Sequence, residues 1–316
     1  MNIIKRFNEL NNSINYSHTI TDETFNLKIN QISYDFPLNI KTIDSYLGYM
    51  EPKQWLIHEH QENCLHEPGL VILLFLLSEK FKGKKVGFYD IGALYGYFSI
   101  LASKIFDEPE IYSVEANPFS CEYIKHLKES LNYSKFNIIN AFVDKKNYGN
   151  REKYISGYRF LEDSNALLSE FRNIIIKNNI KKIINFFIKN KYQIVKPKKV
   201  FIDHISLNDL IQKSTQDVNI LKVDAEGYQA NFLPPASRLL IKKNFVILLE
   251  FDDIKELRKF DSSNRKICDP FIENGYKLYW FNHRIKGSKL ELRTIFDNNM
   301  ETNSFGLLMP PRYDRP

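Results

Sequence analysis

From about residue 67 onward, short apolar runs alternate with amphipathic stretches along the chain. The apolar stretch over 68–81 predicts a helix, "KKVGFYDIG" predicts a short buried strand, and "GYFSILASKIF" predicts the next helix. Two glycines lie between that strand and that helix. A strand, a glycine turn and a helix in this order indicate the start of a βαβ unit.

The alternation continues towards the end of the chain. Strands are predicted at "EIYSVEANP", "KFNIINAFVD", "VNILKVDAEG" and "NFVILLEFDD", with helices from Pro118 to about Leu131 and through "SRLLIKK". Because these strands are apolar nearly throughout, we expect a parallel sheet covered by helices on both faces. The last two strand-like segments, "GYKLYWFNHR" and "TNSFGLLMPPR", predict an antiparallel hairpin at one sheet edge.

The chain divides into an N-terminal extension and one main domain. Residues 1–66 are polar and weakly periodic, so we expect short elements packed on a domain that spans 67–316, with an insertion at about 145–200. Between Arg172 and Val200 the sequence has nine basic residues and no acidic one, and isoleucines recur at helical spacing. This pattern predicts a basic amphipathic helix, whose lysines either lie in solvent or make a weak contact with a membrane surface or a glycan.

The composition excludes several classes of protein. The 316 residues are 43% hydrophobic, enough for a full core, and the net charge of +6 is small for a dedicated nucleic-acid binder. No apolar run reaches the roughly 18 residues of a transmembrane span, and "MNIIKRFNEL" lacks the apolar core of a signal peptide. Three distant cysteines without a CxxC pair favour reduced thiols. We therefore expect a cytoplasmic protein without a nucleic-acid partner.

The glycine turn does not match a phosphate-binding turn. A dinucleotide site would show G-x-G-x-x-G, whereas Gly92 and Gly96 are four residues apart and Ala93 and Leu94 follow the first glycine. In front of the turn stands Asp90, whose carboxylate would repel a phosphate but could hold an ammonium group.

A second acidic residue, Glu115, ends the next strand. An acid at this place in a Rossmann-like unit can accept hydrogen bonds from both ribose hydroxyls. Two carboxylates, a glycine turn and no phosphate cradle fit a nucleoside that carries a positively charged amino acid, and this ligand is S-adenosylmethionine. We assign the following residues to the cofactor site: Asp90, Gly92, Ala93, Gly96, Tyr97, Glu115, Asn117 and Asp144.

The sequence resembles the FkbM-type S-adenosylmethionine-dependent methyltransferases. The resemblance covers roughly residues 67 to 310 and rests on "YDIGALYGYFS", "VEANP", "ISLNDLI", "ILKVDAEGYQANFL" and "VILLEFD". It implies a Rossmann-like class I methyltransferase fold, with a seven-stranded, mostly parallel sheet that contains one antiparallel strand. It also implies methylation of a hydroxyl group, on a sugar, a glycan or a related natural product.

Some positions differ from the family pattern. Leu94 stands where the family usually has Asn, and Gln229 and Pro235 stand where it tends to have Glu and Gly. These differences concern helix packing and the acceptor side. They also leave room for a binding or scaffold protein that keeps the fold without turnover. N-methylation is disfavoured because "LPPAS" lacks the aromatic residue of an N/D-P-P-Y motif.

A hydroxyl group must lose its proton before it is methylated, so the site needs a base. Asp224 and Glu226 lie at the end of the strand segment "NILKVDAEG". Ligands of open α/β sheets bind at these carboxyl ends of the strands. Together with His204, these two acids are the candidate catalytic residues. Asp224 and Glu226 could instead bind a divalent cation with Asp252 or His204, or cap the following helix.

A dense group of histidines occurs in "HEHQENCLH", where His58, His60 and His66 lie close to Glu59. Their spacing matches neither H-x-x-x-H on a helix face nor a zinc motif. We therefore expect solvated or helix-capping histidines there.

Overall fold

The computed structural model describes residues 2–38, 52–61, 64–156, 159–161, 198–293 and 304–314. Within these ranges the chain forms an 11-stranded mixed sheet and a separate three-stranded antiparallel sheet. The basic helix is expected over residues 172–200, of which residues 172–197 lie outside the described ranges.

The described helices and strands follow the predicted alternation over residues 68–144 and again over residues 218–251. The helices are α1 (Ile3–Ser13), α2 (Pro52–Glu59), α3 (Pro68–Lys80), α4 (Tyr97–Ile105), α5 (Pro118–Leu131), α6 (Leu207–Ile211), α7 (Gln229–Lys242), α8 (Ile254–Arg258) and α9 (Asn264–Ile272). The strands are β1 (Tyr16–Ile20), β2 (Thr24–Ile29), β3 (Ile32–Pro37), β4 (Val86–Ile91), β5 (Glu110–Glu115), β6 (Phe136–Asp144), β7 (Gly149–Ser156), β8 (Arg159–Leu161), β9 (Lys198–Ser206), β10 (Val218–Val223), β11 (Val246–Phe251), β12 (Lys277–Phe281), β13 (Glu291–Arg293) and β14 (Ser304–Met309).

The large sheet contains the predicted seven-stranded arrangement. Its strand order is β13-β12-β14-β11-β10-β4-β5-β6-β9-β7-β8. From β6 to β12 these are seven strands, of which β14 is antiparallel to both of its neighbours. The fold prediction is therefore confirmed, and β9, β7 and β8 extend the sheet on one side, with β13 on the other. The C-terminal segments pair as expected, but β14 lies between β12 and β11 and β13 forms the edge.

Two hydrophobic cores lie on opposite faces of this sheet, because successive side chains of a strand point to opposite sides. On one face, Phe88 and Ile220 pack with residues of α1, α3, α4 and α5. On the other face, Tyr89 and Leu221 pack with residues of α6, α7 and α9. The even-numbered residues of β4, β10 and β11 thus face α3 and α4. This alternation decides which polar side chains meet at the strand ends.

The N-terminal extension includes a sheet that the hydrophobic pattern did not reveal. Strands β1, β2 and β3 pair in sequence order, and β3 packs against α4 and α5. The Phe36 ring stacks on the Tyr97 ring with 5.6 Å between centroids, and the Tyr123 hydroxyl donates to the Pro37 carbonyl at 3.2 Å. This sheet therefore supports the first turn of α4.

None of the helices in the described ranges combines the length and the apolar character that a bilayer span requires.

Candidate functional site

The turn after β4 is fixed against the ends of two neighbouring strands. Gly92 has φ +74°, and a Cβ atom on it would lie 1.8 Å from the Asp224 carbonyl oxygen. The amides of Gly92 and Ala93 both donate to the Val114 carbonyl, at 3.0 and 3.2 Å. The turn thus lies directly over the carboxyl ends of β5 and β10, where the predicted ligand site is.

Leu94 adopts the left-handed backbone conformation, with φ +49°. Asn adopts this conformation more readily than Leu, which gives a physical reason for the family preference at this position. The Leu94 amide donates to Glu115 Oε2 at 2.8 Å. This contact connects the turn to the acid at the end of β5.

Both oxygens of the Glu115 carboxylate accept backbone hydrogen bonds. In addition to Leu94, the Asn117 amide donates to Oε1 at 2.7 Å. Burial raises the pKa of Glu115 to about 7, although these two hydrogen bonds act in the opposite direction. The Asn117 side chain caps α5 by accepting from the Phe119 amide at 3.0 Å. Glu115 is therefore held in a fixed orientation at the strand end.

Asp90 faces an ammonium group, and that group belongs to the protein. Lys222 stands opposite Asp90 in the register of β10 and β4, and its Nζ lies 3.1 Å from Asp90 Oδ1. The Ser99 hydroxyl donates to Asp90 Oδ2 at 2.8 Å, and the Asp90 side chain is fully buried. In this structure Asp90 fixes Lys222 and the start of α4.

Lys222 was not among the predicted site residues. Burial alone would lower its pKa, but the facing carboxylates of Asp90 and Asp224 raise the pKa above the ordinary lysine value. The sequence signal for it is a lysine inside the otherwise apolar strand "VNILKV". A buried lysine requires a carboxylate partner, and Asp90 is one residue from the end of the neighbouring strand.

A cluster of carboxyl groups lies at the ends of β10 and β11. The Glu250 carboxyl group forms a hydrogen bond with that of Asp224, and burial together with Asp224 raises the pKa of Glu250 well above its ordinary value. Burial and the nearby Asp224 and Glu226 also raise the pKa of Asp252 to about 7, although a hydrogen bond from Gln229 lowers it. The Asp224 side chain is 27% exposed, whereas that of Glu250 is 9% exposed. Asp224 is thus the more accessible of this bonded pair.

Glu226 and His204 lie in different surroundings. Glu226 is exposed in the turn before α7 and has φ +50°. His204 is on β9, 3% exposed, with Nδ1 at 3.1 Å from Asp144 Oδ2 and with a buried Nε2 that has no hydrogen-bond partner. The three predicted catalytic residues therefore do not form one hydrogen-bonded group.

Asp144, at the end of β6, is the centre of a polar network. Besides His204, the Tyr228 hydroxyl donates to Oδ2 at 3.1 Å and the Asn231 amide to Oδ1 at 2.7 Å. Burial would raise the pKa of Asp144, but the hydrogen bonds from His204, the Lys145 amide and these side chains lower it. Tyr228 and Asn231 were not predicted. They follow the glycine of "DAEGYQAN", one helical turn apart, and this spacing is a signal that sequence reasoning can use.

The residues described include no group of three or more His, Cys, Asp or Glu side chains arranged to hold a metal ion. Asp224 lies beside buried Lys222, and both Asp224 and Asp252 lie near buried Glu250, whereas His204 belongs to the Asp144 network.

The histidines of "HEHQENCLH" are mostly buried, so the expectation that they are solvated or capping is wrong for two of them. His60 is 1% exposed, and burial lowers its pKa to about 3. His66 packs edge-on against Tyr97 with 5.1 Å between centroids, and its Nδ1 lies 2.8 Å from Glu59 Oε2. His58 is exposed, as expected. The N-terminal extension, which the sequence pattern left undefined, supplies the contacts that bury His60.

Several solved structures are similar to this chain. An FkbM methyltransferase from Methylobacillus flagellatus KT is 10% identical, with a TM-score of 0.37, over 77% of this chain and 55% of that chain. An O-methyltransferase from Bacillus cereus, in complex with SAH, is 13% identical, with a TM-score of 0.38, over 85% and 93%. A SAM-dependent methyltransferase from Agrobacterium tumefaciens is 8% identical, with a TM-score of 0.41, over 92% and 72%. These scores are too low to carry an argument. No curated protein matches the sequence.

The family comparison is decisive. The model described as "Methyltransferase FkbM domain" matches residues 90–278, which is more than half of the chain. The matched stretch begins at Asp90 and contains the glycine turn, Glu115, the Asp144 network and the carboxyl cluster. The chain therefore belongs to the FkbM family of S-adenosylmethionine-dependent methyltransferases.

Proposed function

We propose that this methyltransferase acts on a hydroxyl group of a sugar, a glycan or a related natural product, with Asp224 as the base. The observation that carries the proposal is the position of Asp224. It is the accessible carboxylate at the end of β10, and it touches the glycine turn through its own carbonyl group. A base at this place lies beside the cofactor turn, within reach of an acceptor that enters the same cleft.

The residues at the strand ends fit the cofactor. Glu115 can accept hydrogen bonds from ribose hydroxyls through the lone pairs that its two backbone donors leave free. The turn from Gly92 to Gly96 lies next to it, with Tyr97 packed behind the turn, and Asn117 and Asp144 follow the neighbouring strands. S-adenosylmethionine supplies a methyl group on a positively charged sulfur, and the surplus of carboxylates at these strand ends favours that positive charge.

Asp224 is favoured over the other two candidate bases. His204 is buried and its Nδ1 faces Asp144, while Glu226 is exposed in the turn beyond the strand end. Glu250 supports Asp224 because burial and Asp224 itself raise the pKa of Glu250 well above its ordinary value, which favours a proton on Glu250 in its hydrogen bond with Asp224. Lys222 balances part of the negative charge. Asp224 is therefore held by two neighbours while its carboxyl group stays open to the cleft.

The acceptor class and the base are tested separately. Cell-surface polysaccharide fractions incubated with methyl-labelled S-adenosylmethionine should become labelled in a sugar hydroxyl. Asp224→Asn should lower turnover by about 10²–10⁴-fold, because a general base contributes that much, while the dissociation constant for S-adenosylhomocysteine changes little. Labelling of nitrogen instead of oxygen would overturn the acceptor class, and unchanged turnover would eliminate Asp224.

We also propose a cytoplasmic location. Cys64, Cys121 and Cys268 are all free thiols in the structure, as expected for a reducing compartment.

A further inference from the structure

A row of carboxyl and imidazole groups leads from the carboxyl cluster to the surface of α2. We name it the relay row, and from the inside outward its members are Asp224, Glu250, His283, Glu67, His66, Glu59 and His58. Two of its histidines, His66 and His58, belong to the segment "HEHQENCLH".

The inner half of the relay row is buried. Glu250, which is hydrogen-bonded to Asp224, has its Oε1 at 3.9 Å from His283 Nε2. The same Nε2 lies 3.4 Å from Glu67 Oε1. His283 is fully buried and Glu67 is 6% exposed. One imidazole nitrogen thus faces two carboxyl groups from different elements, the end of β11 and the start of α3.

The outer half continues to solvent. Glu67 Oε1 lies 3.9 Å from His66 Nε2, and the other ring nitrogen of His66 lies 2.8 Å from Glu59 Oε2. Glu59 Oε1 lies 3.2 Å from His58 Nδ1, and the His58 side chain is 55% exposed. His66 can therefore receive a proton on one side of its ring and release it on the other.

We propose that the relay row carries the proton of the acceptor hydroxyl from Asp224 to water at His58, which rests on the proposed function of Asp224 as the base. During methyl transfer the O–H bond breaks, an O–C bond forms, and the C–S bond breaks with its electron pair on sulfur. One proton per turnover is left on Asp224. A bound acceptor covers Asp224, so a buried route allows this proton to leave before the product does.

The charges along the row set the cost of such a transfer. Burial alone would raise the pKa of Glu67, but His66, His283 and Lys222 lower it to about 2. The Arg284 guanidinium lies 3.9 Å from Glu67 Oε1 and 3.8 Å from Glu250 Oε1, and its Nε donates to His283 Nε2 at 3.1 Å. Arg284 therefore has to turn away before this nitrogen takes up a proton. Glu67 therefore takes up a proton only briefly, as the proton passes between His283 and His66. The two 3.9 Å gaps need a shift of about 1 Å to reach hydrogen-bond distance.

The test follows the proton on Glu250 and needs no acceptor. The carboxyl stretching band of protonated Glu250 is identified by infrared spectroscopy as the band that Glu250→Gln removes. Its hydrogen-to-deuterium exchange is then timed after mixing with D2O. Asp224→Asn serves as the background, because Asn cannot carry the proton directly to the open cleft. In this background exchange has to pass along the relay row.

Adding Glu59→Gln should slow this exchange roughly tenfold or more, because an amide cannot take up and release the proton as a general acid-base group does. Glu59→Asp, which keeps a carboxylate, should restore most of the rate. The matched control is Glu129→Gln, which removes a carboxylate 3.6 Å from His126 on α5, away from the row, and should change nothing.

Unchanged exchange in Glu59→Gln would overturn the relay. Faster exchange would do so as well, since it would show that Glu59 only holds α2 in place. Absence of a Glu250 carboxyl band would remove the inner end of the row. None of these outcomes depends on the acceptor, whereas the role of Asp224 is decided by the turnover of Asp224→Asn.

Discussion

Gly92 has a left-handed backbone conformation and also lies too close to the Asp224 carbonyl oxygen for a side chain. Gly92→Ala should lower the free energy of unfolding by more than Gly83→Ala, although both glycines have φ +74°. The conformation costs about 1–2 kcal/mol in each variant, but at Gly92 the Cβ atom also collides with the Asp224 carbonyl, which adds about 1–3 kcal/mol. No heavy atom lies within 4 Å of the Cβ position at Gly83. Urea denaturation of both variants measures the difference, and equal losses would contradict the close contact.

Glu115 should make cofactor binding depend on pH. Burial raises its pKa to about 7, and the carboxylate is the form that accepts two ribose hydroxyls. The dissociation constant for S-adenosylhomocysteine should therefore increase as the pH falls from about 8 to 6, approaching tenfold per unit below the pKa. Isothermal titration calorimetry measures it.

Two variants test the assignment to Glu115. Glu115→Gln should bind weakly and without this pH dependence, whereas Glu108→Gln, in the exposed turn before β5, should behave like the wild type. A wild-type affinity that stays constant between about pH 6 and 8 would exclude Glu115 as the titrating ligand.

Single residues also show what sequence reasoning can and cannot identify in a site. Asp90 and Glu115 could be located because strand ends are readable from the apolar runs. Lys222 could not be paired with Asp90, because the register between β10 and β4 joins segments more than a hundred residues apart. The same holds for His283 and Glu67, which meet through the packing of α3 on the end of β12.

At the scale of elements, most strands and helices between residues 68 and 251 were predictable because each is a strong apolar or amphipathic segment with clear ends. The exceptions are β7, β8 and α6, which were not predicted. The N-terminal sheet was missed although apolar and polar residues alternate in β2 and β3, and the mostly polar β1 gave little signal. The position of β14 was not predictable either. A pattern of apolar residues indicates that a strand is buried but does not say between which two strands it lies.

Helix α7 contains Pro234 and Pro235 in its interior. Each lacks an amide hydrogen and interrupts the hydrogen-bond pattern, at a cost of about 3 kcal/mol in an ordinary helix. Pro235 is exposed, so Pro235→Ala removes little packing. Without this proline the unfolded chain is more flexible, which offsets part of the gain. We therefore expect a net increase of about 1–2 kcal/mol in the free energy of unfolding.

The control for this prediction is Pro118→Ala. Pro118 occupies the first position of α5, where a missing amide hydrogen costs nothing, so its replacement should not stabilise the protein. Thermal unfolding of the two variants compares them directly. A lower melting temperature for Pro235→Ala would show that the packing of α7 requires proline at this position.

At the scale of the whole molecule, charge is unevenly distributed. The chain carries a net charge of +6, yet acidic side chains predominate at the carboxyl ends of β4, β5, β10 and β11. Glu115 and Asp252 both have a pKa of about 7, for which burial is the largest cause. The folded protein therefore keeps protons that the unfolded chain loses above its ordinary carboxyl pKa of about 4 to 4.5.

The sign of this effect on stability follows from proton linkage. The raised carboxyl pKa values of Glu115 and Asp252 stabilise the fold fully below about pH 4, and that contribution disappears as the pH rises to about 7. The raised pKa of Glu250 acts in the same direction. His60 acts in the opposite direction, because its lowered pKa gives stability that is lost as the pH falls below about 6.5. Two carboxyl groups outweigh one imidazole. We therefore expect the melting temperature to fall between about pH 5 and 7.

S-adenosylmethionine should reverse this loss, since its positive sulfur compensates the carboxylates that form as the pH rises. The increase in melting temperature with saturating S-adenosylmethionine should be larger at about pH 8 than at about pH 5.5. S-adenosylhomocysteine has the same ribose but a neutral sulfur, so its stabilising effect should grow less over this range. Differential scanning fluorimetry across the pH series, with Asp252→Asn as a variant in which one titrating group is absent, measures both ligands. If the increase in melting temperature grows equally with pH for both ligands, the pH dependence comes from Glu115 and the ribose alone. If the melting temperature of the free protein rises with pH, the raised carboxyl pKa values are contradicted.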